Sequence, residues 1–169
     1  MSTVHLALQG KGGVGKSYVA ALIAQHQRES GKEVVCVDTD PVNATFSEYR
    51  AFAAQRLALM EGARLNERRF DELMELILAT DAVVIVDNGA SAFLALSNYL
   101  IENAAIGVLA EAGKPITVHS VVTGGQALLD TLTGLQQLAA QFSDRAEIVV
   151  WLNEYFGDIV AEGKGFEQM

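Results

Sequence analysis

The chain has 169 residues, half of them apolar and one fifth charged, which is the size and make-up of one domain with a sizeable core. Twelve basic against 21 acidic residues leave a net charge of -9, which argues against wholesale coating of nucleic acid or of an anionic membrane. A single cysteine, Cys36, excludes an internal disulfide framework, a thiol zinc site and a CxxC redox pair.

The start, Met1 to His5, lacks the basic segment of a signal peptide. The most apolar later stretch, Ala104 to Ala112, falls far short of the roughly 20 residues that span a bilayer. A cytoplasmic location is expected.

Val4 to Leu8 is a short apolar run ending in a glycine cluster, so it reads as a buried strand feeding a loop. A helical pattern with Val19, Ile23 and Ala24 follows from Ser17 until Gly31 stops it. Val34 to Val37 is a second strand, apolar on both faces as parallel sheets demand, and it closes on Asp38-Thr-Asp-Pro41. Phe46, Tyr49, Ala53, Leu57 and Met60 at helical spacing predict a helix from about Thr45 to Met60. A polar break, Gly62 to Asn66, separates it from a helix presenting Phe70, Leu73, Met74, Ile77 and Leu78.

Ala82 to Val86 is the third strand, ending on Asp87. Helical patterning resumes from Phe93 to Ala112, with a break near Asn103. Ile116 to Val122 is the fourth strand, Gly124-Gly125 opens a helix carrying Leu128, Leu132, Leu135, Ala139 and Phe142, and Glu147 to Leu152 is the fifth strand. Strands alternate with helices throughout. The expected fold is α/β, a mostly parallel central sheet with helices on both faces in one domain over residues 1–169. The last residues, Phe166 to Met169, read as the opening of a helix, so a further strand and C-terminal helices are expected to be missing.

Gly10, Lys11, Gly12, Gly13, Val14, Gly15, Lys16 and Ser17 satisfy the phosphate-loop pattern of Gly, four residues, then Gly-Lys-Ser. Its glycines let successive N–H groups turn inward around phosphate oxygens, and the helix that follows adds its positive dipole end. Lys16 is expected to reach the β and γ phosphates and Ser17 to ligate Mg²⁺. The nucleotide-binding set extends to Tyr18. Asp38 and Asp40 end a strand where ligands bind in open α/β sheets; the same two positions also suit helix capping. Asp87 ends the third strand where a Walker B carboxylate would hold Mg²⁺ through water.

The second lysine, Lys11, makes the loop resemble the deviant Walker A signature of the ParA/MinD group of P-loop NTPases. The resemblance implies an ATPase that dimerises with ATP, in which Lys11 crosses to the partner's nucleotide. It also implies that Asp38 supports Mg²⁺ through water, that Asp40 positions the attacking water, and that Asn88 to Ala90 form the γ-phosphate sensor loop. Proline or threonine is commoner in that loop. Asn153 would read the adenine edge. The segment Asn-Glu-Tyr-Phe lacks the acid of the GTPase Asn-Lys-x-Asp motif, which favours ATP. Leu8 to Ser17, Val121 to Asp130 and Val149 to Gly157 are similar to TraL-type conjugal transfer proteins of plasmids. That similarity implies a protein partner in plasmid transfer or maintenance.

Arg50, Arg56, Arg64, Arg68 and Arg69 fall within twenty residues holding only two acids, Glu61 and Glu67. They read either as a docking face or as the solvated side of two amphipathic helices. His5, His26 and His119 lack metal-ligand spacing and read as strand or helix packing; Cys36 and Trp151 read as core. Two other functions stay open: a small-molecule kinase or synthetase on the same scaffold, and a DNA-binding partition ATPase. The net charge argues against direct DNA binding, and no terminal amphipathic helix suggests a membrane role.

Overall fold

The computed structural model describes residues 3–61 and 64–168, with backbone only at 64 and 65. Six strands form one sheet in the order β3-β2-β6-β1-β7-β8, every pairing parallel. They are β1 (Val4–Ala7), β2 (Val34–Asp38), β3 (Gln55–Arg56), β6 (Val83–Asp87), β7 (Ile116–Thr123) and β8 (Glu147–Asn153). Two antiparallel pairs lie outside it: β4 (Met60–Glu61) with β5 (Arg64–Leu65), and β9 (Val160–Ala161) with β10 (Lys164–Gly165).

The helices are α1 (Lys16–Glu29), α2 (Thr45–Glu48), α3 (Glu67–Ala79), α4 (Phe93–Glu102), α5 (Ala105–Glu111) and α6 (Leu128–Phe142). On one face of the sheet α1 buries Val19, Ala20, Ile23 and Ala24 against Cys36, Ile85 and Val121. On the other, α3 to α6 bring Phe70, Leu96, Leu109 and Phe142 onto Leu6, Val84 and Val118. The valine, isoleucine, leucine and phenylalanine side chains among them contribute about 1.5–3 kcal/mol each when fully buried, and β1 and β6 are covered from both sides. That is why, apart from His5 and the terminal Asp87, their sequences are apolar without alternation. No single helix among the described residues is long and apolar enough to cross a membrane.

The predicted strands, the helices of residues 16–29 and 67–79, and the break after α4 all form. Ala104 makes that break with a left-handed φ of 50°.

The helix expected over Thr45 to Met60 does not form. α2 stops at Glu48, a 3-10 turn covers Arg50–Phe52, and Gln55–Arg56 joins the sheet beside β2. Tyr49 ends α2 by leaving the helical region at ψ 78°, and two features keep the chain from resuming the helix. The Arg28 guanidinium, from α1, takes the carbonyls of Ala51 and Phe52 at 2.5 and 3.1 Å and lies 5.2 Å from the Phe52 ring centre. Ala53 then turns left-handed at φ 49°.

The C-terminal residues form a hairpin and a 3-10 turn (Phe166–Gln168) rather than a helix start. Glu162 and Gly163 both take positive φ, as a two-residue hairpin turn requires. Ile159, ahead of the hairpin, is buried with Val122 and Leu128. The polar break expected at Gly62 to Asn66 lies partly outside the described residues, at 62 and 63.

Of the arginines, Arg50 and Arg56 sit on the 3-10 turn and the edge strand instead of an amphipathic helix. Arg68 and Arg69 lie on the exposed side of α3, with Arg69 paired to Glu72 at 2.6 Å. His26 is exposed in the last turn of α1 and packs in no core.

Candidate functional site

The loop between β1 and α1 turns at Gly13 (φ 75°) and Gly15 (φ 106°), conformations that glycine adopts freely and other residues avoid. It delivers the chain to the first turn of α1, whose N–H groups have no carbonyl of their own helix to bond. Lys16 is buried there, and its Nζ donates to the Lys11 carbonyl at 3.0 Å. Burial lowers the lysine's pKa, while Asp87 and Asp40 nearby act to raise it.

The loop is braced from both sides. Gln9, fully buried, accepts the Gly10 N–H at 2.8 Å and donates to the carbonyls of Val121 and Thr131 at 3.0 Å each. Asn153 donates from Nδ2 to the Val14 carbonyl at 2.9 Å, and its Oδ1 accepts the Tyr155 N–H at 3.1 Å. The residue expected to read adenine thus also holds the phosphate loop.

Parallel register sets Asp38 beside Asp87. The Asp38 oxygens accept the N–H groups of Asp40 at 3.1 Å and Ser47 at 2.8 Å, so this carboxylate caps α2. Each oxygen keeps a second lone pair for a water. Asp40 Oδ1 accepts the Val42 and Asn43 N–H groups at 2.9 and 3.0 Å.

Asp87 is different. Its Oδ1 is buried and has no hydrogen-bond partner among the described residues. Burial pushes its pKa up to about 7, the Ser17 hydroxyl bonding the carboxyl pulls it back, and Asp38 raises it further. An orphaned carboxylate oxygen, a serine hydroxyl and a second carboxylate fit Mg²⁺, a hard cation that keeps several waters and takes few protein ligands. Ser17, Asp38 and Asp87 would hold it.

A cavity of about 540 Å³ opens at this edge of the sheet. Gly12, Gly13, Gly15, Lys16, Ser17 and Tyr18 line it from the phosphate loop and α1, while Asp40, Asn43, Thr45 and Asn88 line it from the loops after β2 and β6. Lys11 is not on its wall. That lysine stands 45% exposed, paired through Nζ with Asp130 of α6 at 2.7 Å. Exposed ion pairs contribute roughly 0–1 kcal/mol, so Asp130→Asn is expected to leave the urea midpoint essentially unchanged.

The sequence matches the CobQ/CobB/MinD/ParA nucleotide-binding domain family over residues 6–157. The chain belongs to this family. Two proteins named TraL from Escherichia coli are 55% and 53% identical to it over all 169 residues, which span 70% of each relative. Among solved structures, the signal recognition particle receptor FtsY from Elizabethkingia anophelis, in complex with GDP, is similar at TM-score 0.55 and 20% identity. The alignment covers 88% of this chain and 48% of that one, and at this identity the likeness shows the P-loop NTPase fold alone.

Several residues of this family site escape a reading of the sequence. Gln9, Asp130 and Gly134 act through contacts more than 110 positions apart. Their only sequence signal is that Gln9 and Asp130 sit inside the stretches similar to TraL-type proteins. Thr39 sits between two recognised aspartates, yet its spacing alone assigns it no task; Gly89 reads only as part of the expected sensor loop, with nothing in the sequence tying it to Asp40.

Proposed function

We propose that this family member is a slow, Mg²⁺-dependent ATPase that works as a dimeric switch in plasmid transfer or maintenance. The observation that carries the reading is the position of Lys11. The second lysine of the loop is exposed and off the wall of its own chain's cavity, so its charge is available to a nucleotide on another chain. The 55% identity to a TraL protein supports the plasmid setting.

In this cycle the phosphate-loop N–H groups and Lys16 neutralise the phosphates, and Ser17, Asp38 and Asp87 hold the metal or its waters. Mg²⁺, when bound, offsets charge developing on the β- and γ-oxygens. Asp40 aligns the attacking water, since phosphoryl transfer needs positioning and charge neutralisation more than covalent chemistry. Closure of two protomers requires Lys11 to leave Asp130. Nucleotide drives an output because the ATP and ADP states differ in affinity for a protein partner.

Light scattering on the Asp40→Ala protein tests this. A dimer in Mg²⁺-ATP and a monomer in Mg²⁺-ADP are expected, with Asp130→Asn raising the dimer fraction. A monomer in both, with ATP bound, would overturn the switch. That outcome favours a second reading, a small-molecule kinase or synthetase. Asn43 and Thr45 share the cavity with Lys16 and offer an acceptor substrate polar contacts.

A further inference from the structure

The loops after β2 and β6 are joined beyond the ends of their strands. Past the Asp38–Asp87 pair, the Thr39 N–H donates to the Asp87 carbonyl at 2.9 Å. The Thr39 hydroxyl lies 3.0 Å from both that carbonyl and Asn88 Oδ1, so its one proton is shared between them. Asn88 in turn donates from Nδ2 to the Gly89 carbonyl at 3.1 Å. Thr39 and Asn88 are both buried, so these bonds exchange with no water.

Gly89 follows at the point of closest approach. Its φ of -65° and ψ of 147° are open to any residue, so backbone conformation does not call for glycine. Space does. A Cβ at position 89 would lie 2.7 Å from Asp40 Cγ, 2.9 Å from Asp40 Oδ1 and 3.0 Å from Asp40 Cα. The carboxyl cannot step aside cheaply, because Oδ1 already accepts the Val42 and Asn43 N–H groups. The backbone offers no relief either, since Thr39 is tied to the opposite loop.

We propose that Gly89 is a positioning residue that acts through Asp40: by lacking a side chain it lets the 88–90 loop close over the carboxylate, and Thr39 fixes the two loops as one unit. Asp40 Oδ1 is thereby held by its own turn, and Oδ2, which makes no hydrogen bond among the described residues, is left for the attacking water. Movement of the 88–90 loop therefore carries Asp40 with it. The inference rests on the hydrolytic reading of the site.

Its test is steady-state Mg²⁺-ATP hydrolysis by Gly89→Ala, Thr39→Val and Thr39→Ser, together with crystal structures of the wild type and Gly89→Ala. Misplacing an aligning group by an ångström costs about 10²-fold, so kcat is expected to fall about 10²-fold in Gly89→Ala. KM for ATP should move by less than about 3-fold, because phosphate-loop contacts are untouched. Thr39→Ser should keep kcat within about 3-fold of wild type and Thr39→Val should lose about 10-fold, since only serine restores the hydroxyl. In the crystal structure of Gly89→Ala the Asp40 carboxyl should have left the Val42 and Asn43 N–H groups.

Unchanged kcat, a parallel rise in KM, or a carboxyl still in place would each overturn the proposal. Should the wild type bind ATP and hydrolyse none, the hydrolytic reading falls by itself. The position of the Asp40 carboxyl in the two crystal structures then decides the fate of Gly89: displaced supports its role, unmoved refutes it.

Discussion

Gly134→Ala is expected to destabilise the fold by about 3 kcal/mol, against the usual sign, since alanine in a helix interior normally gains about 1 kcal/mol over glycine. Gly134 lies within α6, where a Cβ would fall 1.9 Å from Gln9 Oε1 and 2.9 Å from Gln9 Cδ. Gln9 is a long side chain, but it has nowhere to go. It is fully buried and bonded to Gly10, Val121 and Thr131. Pushing it aside leaves buried polar groups unpaired, at about 1–3 kcal/mol for each orphaned group. The damage should also reach the phosphate loop, because the Gly10 N–H is one of the groups released. Urea melts give the stability change, and ATP titration of the folded variant gives the second effect. A rise in the urea midpoint would show that Gln9 repacks without loss.

Acid should destabilise the protein through His119 well before ordinary acid unfolding. Trp151 Nε1–H donates to His119 Nδ1 at 3.1 Å, which leaves the imidazole proton on Nε2. That nitrogen lies 2.9 Å from His5 Nδ1, so His119 donates and His5 carries its proton on Nε2. The chain of donors accommodates no further proton without setting two N–H groups against each other. Burial, then His5, lowers the His119 pKa to about 4; burial and Lys32 lower that of His5, while Glu147 raises it.

Between about 4 and the ordinary 6.5, the unfolded chain binds more protons at His119 than the folded chain does. The stabilisation is complete above about pH 6.5 and is lost as pH falls toward 4. For His119 the loss is about 2–3 kcal/mol. Asp87, with its pKa raised to about 7, acts with the opposite sign over much of the same range. The measurement is therefore a difference: urea stability of wild type minus His119→Gln at pH 7 and pH 4.5. A gap that does not shrink on acidification would remove His119 as the source.

Five of the six strands of the sheet, all but β3, and the phosphate loop were legible because their signals are local. Apolar runs of four to eight residues and a fixed spacing of glycines, lysine and serine state the geometry within one segment. Thr45 to Met60 misled because its helical spacing is real, while the turns of Tyr49 and Ala53 out of the helical region and the Arg28 guanidinium from α1 are not written in that spacing. The three-residue chain of His5, His119 and Trp151 was hidden for a related reason. Each reads as strand packing alone, and only the register of β1, β7 and β8 lines the rings up. Of the two readings of Asp38, capping shows in its bond to the Ser47 N–H of α2; the register also sets it beside Asp87. The aspartates were found by their strand ends, but the room that Gly89 leaves for Asp40 exists only between two loops.

Lys16 has a consequence for how fast an anion can be captured. A free ammonium must shed tightly held water before it can touch a phosphate, and that step resists close contact. Here folding has already removed much of that water: the lysine is buried and one of its three N–H donors is held by the Lys11 carbonyl. An arriving phosphate competes with one backbone oxygen and a thinned hydration shell. The carbonyl it releases belongs to Lys11, so the departure of one lysine from its resting bond loosens the residue that carries the other.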